Sequence, residues 1–151
     1  MKALVQRVKR ASVTVDGAVV GQIGPGMLIL FGVHKSDTED ELQWLVRKCA
    51  ALRIFPDDDM KMNRSIMDVR GEILVVSQFT LYGSVERGNR PSFEQSGRPE
   101  LAEPLYNQFV EMLAEISGVP VQTGVFGAMM DVELVNDGPV TLSIERTGGG
   151  R

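Results

Sequence analysis

The sequence contains a single cysteine and a single histidine among its 151 residues. One cysteine excludes an internal disulfide, and the apolar flanks of Cys49 predict a thiol buried inside a helix rather than a nucleophile. One histidine argues against a Ser-His-Asp or Cys-His hydrolase and against a zinc site, which needs several nitrogen or sulfur ligands. His34 follows an apolar run, so we predict a surface histidine at a strand end.

An excess of positive charge is also absent. The formal net charge is −4 and the pI is near 5.0, which argues against a general nucleic-acid coat protein. A protein that grips only the end of an RNA is not excluded, because several cations fall in the middle third of the chain. Composition alone favours solvated surface charge for them. They include Lys61, Arg64, Arg70, Arg87, Arg90 and Arg98.

Long apolar runs, linkers and ligand loops are missing as well. Without a run long enough for a signal peptide or a membrane span, we expect a cytoplasmic protein that does not enter a membrane. Without a Pro/Gly/Ser-rich linker, we expect one domain over residues 1–147, followed by a flexible glycine-rich tail at 148–151. Gly24-Pro25-Gly26 lacks the lysine of a phosphate loop, and Asp57-Asp58-Asp59 lacks calcium-loop spacing, so both predict turns.

The apolar patterns that are present predict strands at both ends of the chain. Asp16-Gly17 predicts a hairpin turn between alternating segments. The runs at 27–33 and 73–76 are apolar on both faces and predict covered central strands. Residues 132–135 and 140–144 predict two closing strands around an Asn-Asp-Gly-Pro turn.

Two longer segments predict helices. Thr38 and Glu41 predict a capping box for a helix that runs to about Arg53, and a second helix is predicted from Pro99 to Gly118. Residues 83–98 predict a long surface loop of the kind that is often functional. The fold class is therefore α+β, a strongly curved and mostly antiparallel sheet, or partial barrel, packed against two main helices.

Two short segments carry candidate chemistry, and each also has a plain structural interpretation. Ser77-Gln78-Phe79-Thr80 follows a buried strand, so side chains 77 and 79 should share one face and 78 and 80 the other. Backbone N–H groups released there can bind an oxyanion, or the segment can simply bond to the next turn. Gly138-Pro139 is ordinary turn sequence, and only ~5–6% of X–Pro bonds in folded proteins are cis.

These segments resemble the D-aminoacyl-tRNA deacylase family, called D-tyrosyl-tRNA deacylases in older naming. The resemblance runs from Met1 to about Glu145, and its motifs occur in order. Each motif alone is unspecific, whereas the ordered set is specific. The motifs are Gln6-Arg7-Val8, Ala11-Ser12-Val13, Ser77-Gln78-Phe79-Thr80-Leu81, Arg90-Pro91-Ser92-Phe93, Phe126-Gly127-Ala128 with Met129 and Met130, and Leu134 to Thr141.

The resemblance implies a homodimer, without cofactor or metal, that hydrolyses D-aminoacyl-tRNA esters at the subunit interface. It places Ser77–Thr80 of one subunit against Gly138-Pro139 of its partner, with the Gly–Pro bond cis. Carbonyl groups of that motif would fill the space that an L side chain needs, whereas a D side chain points outward and glycine has none. Arg7 is the residue that would hold the Gly–Pro segment in position.

The chemistry expected from the resemblance positions a water at an ester that is already activated. Backbone N–H groups near Phe79 and Thr80 would stabilise the oxyanion. The ribose 2′-hydroxyl of the terminal adenosine, rather than the Thr80 hydroxyl, would assist the water. Ser77-Gln78 would line the pocket, and Phe93 and Met129 would contact that adenosine. Two rival hypotheses stay open: an esterase or peptidase with Thr80 as nucleophile, and a non-catalytic dimer that binds RNA ends.

Overall fold

Strands begin and end the chain, with helices inserted between them. The structure is a computed structural model that describes residues 1–148, so the predicted tail lies, apart from Gly148, outside the described residues. The elements are β1 (Lys2–Val15), β2 (Ala18–Ile23), β3 (Gly26–Gly32), α1 (Glu39–Ala51), β4 (Phe55–Pro56), β5 (Met62–Arg64), α2 (Ile66–Val69), β6 (Glu72–Ser77), a 3₁₀ helix (Phe79–Tyr82), α3 (Pro99–Ser117), β7 (Val121–Thr123) and β8 (Asp131–Glu145).

The main sheet is built on β1, which pairs antiparallel with β2, β3 and β8. The next pairings, β3 with β6 and β6 with β7, are parallel. They are parallel because the chain crosses over through α1 between β3 and β6, and through α3 between β6 and β7. The predicted α+β class with a curved sheet is confirmed, but in the main sheet antiparallel pairing is confined to the strands around β1, and β4 and β5 form a separate antiparallel pair.

The sheet curves until it is nearly closed. A Cβ atom at Gly21 in β2 would lie 2.3 Å from the carbonyl oxygen of Thr123 in β7, so a glycine is needed where these strands approach. The predicted hairpin between β1 and β2 is confirmed. Its turn residues Asp16 and Gly17 have φ of 50° and 80°, the positive values that a two-residue hairpin turn requires.

The prediction of two closing strands around a hairpin turn is wrong. Residues Asp131–Glu145 form the single strand β8, which pairs with β1 at both of its ends. The register shifts around Val8, opposite the Asn-Asp-Gly-Pro segment, so this segment bulges instead of reversing the chain. The Asn136 side chain spans the bulge, accepting from the Val140 N–H at 2.7 Å and donating to the Thr141 hydroxyl at 2.9 Å.

The helix signals correspond closely to the observed boundaries. Thr38 and Glu41 form the predicted capping box at the start of α1. Burial raises the pKa of Glu41, but hydrogen bonds from Thr38 and the backbone outweigh it and hold the pKa below its ordinary value. Helix α3 begins at Pro99 and ends before Gly118, whose φ is 68°. The short helix α2 escaped prediction because four residues show no periodicity.

The core lies on both faces of the central strands. Phe31 of β3 stacks on Phe109 of α3, with ring centroids 4.4 Å apart, in the layer between sheet and helices. Leu28 and Leu74 point to the other face and fill the inside of the curved sheet. The prediction of doubly covered strands is therefore confirmed. Cys49 is fully buried in the helical layer, as predicted, and burial raises its thiol pKa to about 12.

Candidate active site

The candidate site begins where β6 leaves the sheet. The last sheet-like bond runs from the Gln78 N–H to the Phe31 carbonyl at 2.7 Å, and the 3₁₀ helix follows at once. The strand therefore ends at Ser77, and the 3₁₀ turn places three residues in each revolution instead of the two of a strand. The predicted grouping of the side chains is nevertheless found, because Ser77 and Phe79 line the same cavity and Gln78 contacts Thr80.

Two backbone N–H groups are left available at the start of this turn. The N–H groups of Phe79 and Thr80 donate to no acceptor within residues 1–148, because the turn's own bonds begin with the Leu81 N–H on the Gln78 carbonyl. Both residues are exposed. The Gln78 side-chain amide donates to the Thr80 hydroxyl oxygen. The turn therefore offers two adjacent donors to solvent, beside a hydroxyl that the Gln78 amide orients.

A cavity of about 310 Å³ opens beside the turn. Ser77 and Phe79 form part of its wall, and the rings of Phe31, Tyr106 and Phe126 make it largely aromatic. The Tyr106 hydroxyl donates to the Val75 carbonyl at 2.9 Å, and burial raises the pKa of Tyr106 to about 12, so the ring is fixed and neutral. Sequence patterns did not identify Tyr106, because it shares the apolar spacing of α3.

The predicted adenosine contacts occupy different places. Phe93 packs its ring against that of Phe79, with centroids 5.1 Å apart and planes at 67°. The same loop is tied down by Ser96, whose hydroxyl donates to the Phe79 carbonyl at 2.9 Å. Met129 is 92% exposed and does not line the cavity, whereas Phe126 and Gly127 of the same motif do.

The Gly138-Pro139 segment lies in the bulge of β8, and its peptide bond is cis. The Arg7 Nε donates to the carbonyl of the preceding Asp137 at 2.9 Å, and its Nη1 donates to the Ile54 carbonyl at 2.6 Å. Gly138 has a φ of 140°, and a Cβ added there would lie 2.8 Å from the Val140 side chain. Within the described residues, no hydrogen bond joins this segment to Ser77–Thr80 of the same subunit.

His34 differs from its predicted surface position. It is buried, and its ring nitrogens lie 2.9 Å from the Ser36 hydroxyl and 3.0 Å from the Gln95 side-chain oxygen. Its ring also meets the Tyr82 ring edge-on at 5.2 Å. The loop that contains Gln95 covers the strand end, and sequence spacing gave no signal of that contact. His34 therefore helps anchor the loop beside the cavity.

Residues 1–148 contain no group of three or more His, Cys, Asp or Glu side chains arranged to hold a metal ion. No helix among them has the length and apolarity needed to span a membrane.

Comparison with known proteins identifies the family. The family model for D-Tyr-tRNA(Tyr) deacylase matches residues 4–145. The chain belongs to this family. The resemblance inferred from the ordered motifs is therefore confirmed, and the match spans β1 through β8.

Individual relatives of these deacylases cover almost the whole chain. The D-aminoacyl-tRNA deacylase of Chlorobaculum parvum is 54% identical over 145 residues, 96% of this chain and 97% of that protein. The D-aminoacyl-tRNA deacylase of Symbiobacterium thermophilum is 57% identical over 145 residues, 96% of this chain and 95% of that protein.

Solved structures share the deacylase fold. The c-Myc DNA Unwinding Element Binding Protein superimposes with a TM-score of 0.91 at 46% identity, covering 98% of this chain and all of that one. A structure described as a probable eukaryotic D-amino acid tRNA deacylase gives a TM-score of 0.77 at 20% identity, covering 95% and 98% of the two chains. At 20% identity, the similarity to this second structure shows a shared fold only.

Proposed function

We propose that this chain hydrolyses the ester of D-aminoacyl-tRNAs without a metal and rejects L-aminoacyl esters at the interface of a homodimer. Deacylase activity on D-aminoacyl-tRNA follows from family membership. The observation that carries the mechanism is the pair of unfilled backbone donors at Phe79 and Thr80, which lie beside an aromatic cavity.

The two donors serve as an oxyanion hole. When water attacks the ester carbonyl, negative charge develops on its oxygen, and fixed N–H groups stabilise that charge without reorganising. The 3₁₀ turn and the Ser96 hydroxyl, which holds the Phe79 carbonyl, keep these donors in place. Thr80 acts through its backbone rather than as a nucleophile, because within residues 1–148 its hydroxyl is hydrogen-bonded only to the Gln78 amide, which donates and cannot act as a general base.

The cavity receives the 3′-terminal adenine. Its volume of about 310 Å³ and its aromatic wall suit a flat base, which binds by stacking. Phe93 supports the outer edge of the cavity through Phe79. With the base there, the ribose and ester fall near the mouth formed by Ser77 and Phe79, and the 2′-hydroxyl lies next to the attacked carbonyl. Met129, exposed outside the cavity, contacts the nucleotide from the rim.

The chiral filter is the partner's Gly138-Pro139 segment. Its support is the rigidity of this segment, since Arg7 ties its neighbour Asp137 to the chain after α1. A rigid backbone at the α-carbon excludes an L side chain by steric overlap, which discriminates better than a slightly oversized apolar pocket. Glycyl esters, which have no side chain, are accepted.

Dimer formation is supported by β8, which pairs with β1 alone within the described residues. The other edge of β8 has no partner strand within the described residues. Two apolar side chains of β8, Val132 and Leu142, are exposed to solvent. A long, partly apolar edge strand is a surface that proteins usually cover. A second copy of the chain would cover this surface and bring Gly138-Pro139 to the neighbouring site.

The test is deacylation of D-tyrosyl-tRNA, glycyl-tRNA and L-tyrosyl-tRNA, with EDTA present throughout. Rapid release from the D and glycyl esters with the L ester spared is the expected result. Loss of activity in EDTA would overturn the metal-free mechanism. Equal hydrolysis of D and L esters would overturn the filter, and a monomer on light scattering that remains selective would overturn the cross-subunit arrangement.

A further inference from the structure

A cationic groove follows the C-terminal half of α1. It encloses about 400 Å³ and is lined by Trp44, Arg47, Lys48, Ala51, Leu52 and Arg53. Three of these six residues are cationic and none is acidic, in a chain whose net charge is −4. The groove in the 84–95 loop also contains cations, but there Glu86 and Glu94 lie beside them. Unlike the groove in the 84–95 loop, the α1 groove therefore has an unbalanced positive charge among its lining residues.

The positive charge of the groove is not explained by ion pairs within the chain. The ion pairs of the described residues do not include Arg47, Lys48 or Arg53. An acid four residues before a cation would pair with it on a solvated helix, but the positions four residues before Arg47, Lys48 and Arg53 are Gln43, Trp44 and Cys49. The helix dipole accounts for Lys48 in the last turn. It does not account for Arg53, which lies beyond the helix.

Trp44 gives the groove a rigid base. The Lys48 Nζ lies 5.3 Å from the centre of the indole ring, and the Arg146 Cζ lies 5.2 Å from it. The two cations come from different elements and converge on one half-buried ring. Lys48 lies over the aromatic face with its ammonium N–H donors directed away from the ring, so it is placed to bind a phosphate.

Arg7 links the groove to the Gly138-Pro139 segment of the same subunit. Arg53 is followed by Ile54, whose carbonyl accepts from the Arg7 Nη1 at 2.6 Å, and the Arg7 Nε donates to the Asp137 carbonyl at 2.9 Å. A single guanidinium thus joins the residue after the groove to the residue before Gly138. This link motivates a path for a polyanion from Gly138-Pro139 toward the cations of α1.

We propose that this groove binds the acceptor-stem phosphates of a tRNA whose ester is cleaved in the neighbouring subunit. The ester would then lie beside the Gly138-Pro139 segment of the subunit that carries the groove. The inference rests on the proposed function and adds to it a second, remote contact with the substrate. Cations along a groove recognise an A-form backbone through its phosphates, independently of sequence. The groove therefore raises affinity for the tRNA and leaves the chemical step unchanged.

The test compares full-length D-tyrosyl-tRNA with 3′-O-D-tyrosyl-adenosine, which is too short to reach the groove. In the Arg47→Glu/Lys48→Glu variant, we expect KM for the tRNA to rise ~10-fold or more, with kcat unchanged and the adenosine ester cleaved as by wild type. The log–log salt dependence of kcat/KM should flatten by about 1.5, since each phosphate contact contributes about 0.7–0.9. An equal loss on both substrates, or no loss on either, would overturn the groove proposal.

A second variant with a smaller change in charge distinguishes a loss of tRNA binding from a folding defect. Gln43→Glu places a carboxylate one turn before Arg47, where it competes with phosphate for the guanidinium. The stabilising pair with Arg47 is offset by repulsion from Glu39, one turn earlier, so we expect a higher KM for tRNA with little change in Tm. The matched control Asn107→Glu adds the same charge at an exposed position of α3 and should leave KM unchanged. Equal effects of the two variants would overturn the proposal. Wild-type inactivity on both substrates would instead overturn the proposed function itself.

Discussion

Arg7 and Asp137 are 130 residues apart in sequence, yet the Arg7 Nε donates to the Asp137 carbonyl at 2.9 Å. The guanidinium also lies 3.6 Å from the Asp137 carboxylate, and its side chain is only 13% exposed. The Arg7 Nη1 also donates to the Ile54 carbonyl. The planar guanidinium of Arg7 therefore holds the segments around Ile54 and Asp137 in position relative to each other. The position of Gly138-Pro139 thus depends on a residue in the first strand.

The Arg7→Lys variant should be a weak enzyme. An ammonium is a single donor point and cannot bridge the Asp137 and Ile54 carbonyls as the planar guanidinium does. A displacement of about 1 Å at a reacting centre costs ~10²-fold in rate, so we expect kcat/KM on D-tyrosyl-tRNA to fall between ~10- and ~100-fold. Arg10→Lys is the control, because Arg10 makes only an exposed 3.9 Å pair with Glu133. Equal rates for both variants would contradict the positioning role.

Replacement of Gly138 by alanine should remove activity and leave the proposed dimer intact. The new Cβ would lie 2.8 Å from the Val140 side chain and 3.3 Å from the Arg7 guanidinium, at a φ of 140° that L residues rarely adopt. Gly17→Ala is the matched control, because it has a positive φ with no neighbour within 4 Å. The control should lose about 1 kcal/mol of stability and no activity. Full chiral selectivity in Gly138→Ala would end the filter hypothesis.

The backbone N–H of Phe79 can be removed with proline. Phe79 is the first residue of the 3₁₀ helix, a position that accepts proline. Compared with Phe79→Ala, which keeps the N–H and lacks the ring, Phe79→Pro should lower kcat a further ~10²–10³-fold. Thr80→Ala should retain most of the wild-type rate. A dead Thr80→Ala enzyme with a normal Tm would favour the nucleophile hypothesis instead.

Stability should depend strongly on a buried ion pair at the start of the chain. The Met1 ammonium lies 2.8 Å from the Asp37 carboxylate, and both side chains are fully buried. Asp37→Asn leaves the ammonium uncompensated, which costs ~3–5 kcal/mol. Asp58→Asn disrupts the exposed pair with Arg64 and should cost less than about 1 kcal/mol. Urea unfolding measures both values, and similar midpoints for the two variants would contradict the estimate.

Alkaline pH should destabilise the fold through Cys49. Its pKa rises from an ordinary 9.0 to about 12 on burial, so above pH 9 the unfolded chain loses a proton that the folded chain keeps. Stability is therefore unaffected below pH 9 and falls by about 1.4 kcal/mol per pH unit above it. Urea titrations between pH 9 and 10 test this, before Tyr106 contributes from its ordinary value of 10.0. A Cys49→Ala variant with the same slope would exclude the thiol as the cause.

Local signals in the sequence determined the elements and the family. The capping box of Thr38, the Asp16-Gly17 turn and the apolar runs of β3 and β6 act over a few residues, so their outcome could be predicted. The ordered motifs, from Gln6-Arg7-Val8 onward, were enough to predict the family. The match of the family model to residues 4–145 confirms that prediction.

Tertiary structure alone decided how these pieces meet. Pairing of β8 with the whole of β1 turned an expected hairpin into a bulge, and the 83–98 loop buried His34. The 3₁₀ turn after Ser77 and the place of Tyr106 in the cavity wall likewise left no local pattern. Such contacts join residues far apart in sequence, and their free energy comes from burial and hydrogen bonding in the assembled sheet. A short window of neighbouring residues therefore cannot predict these contacts.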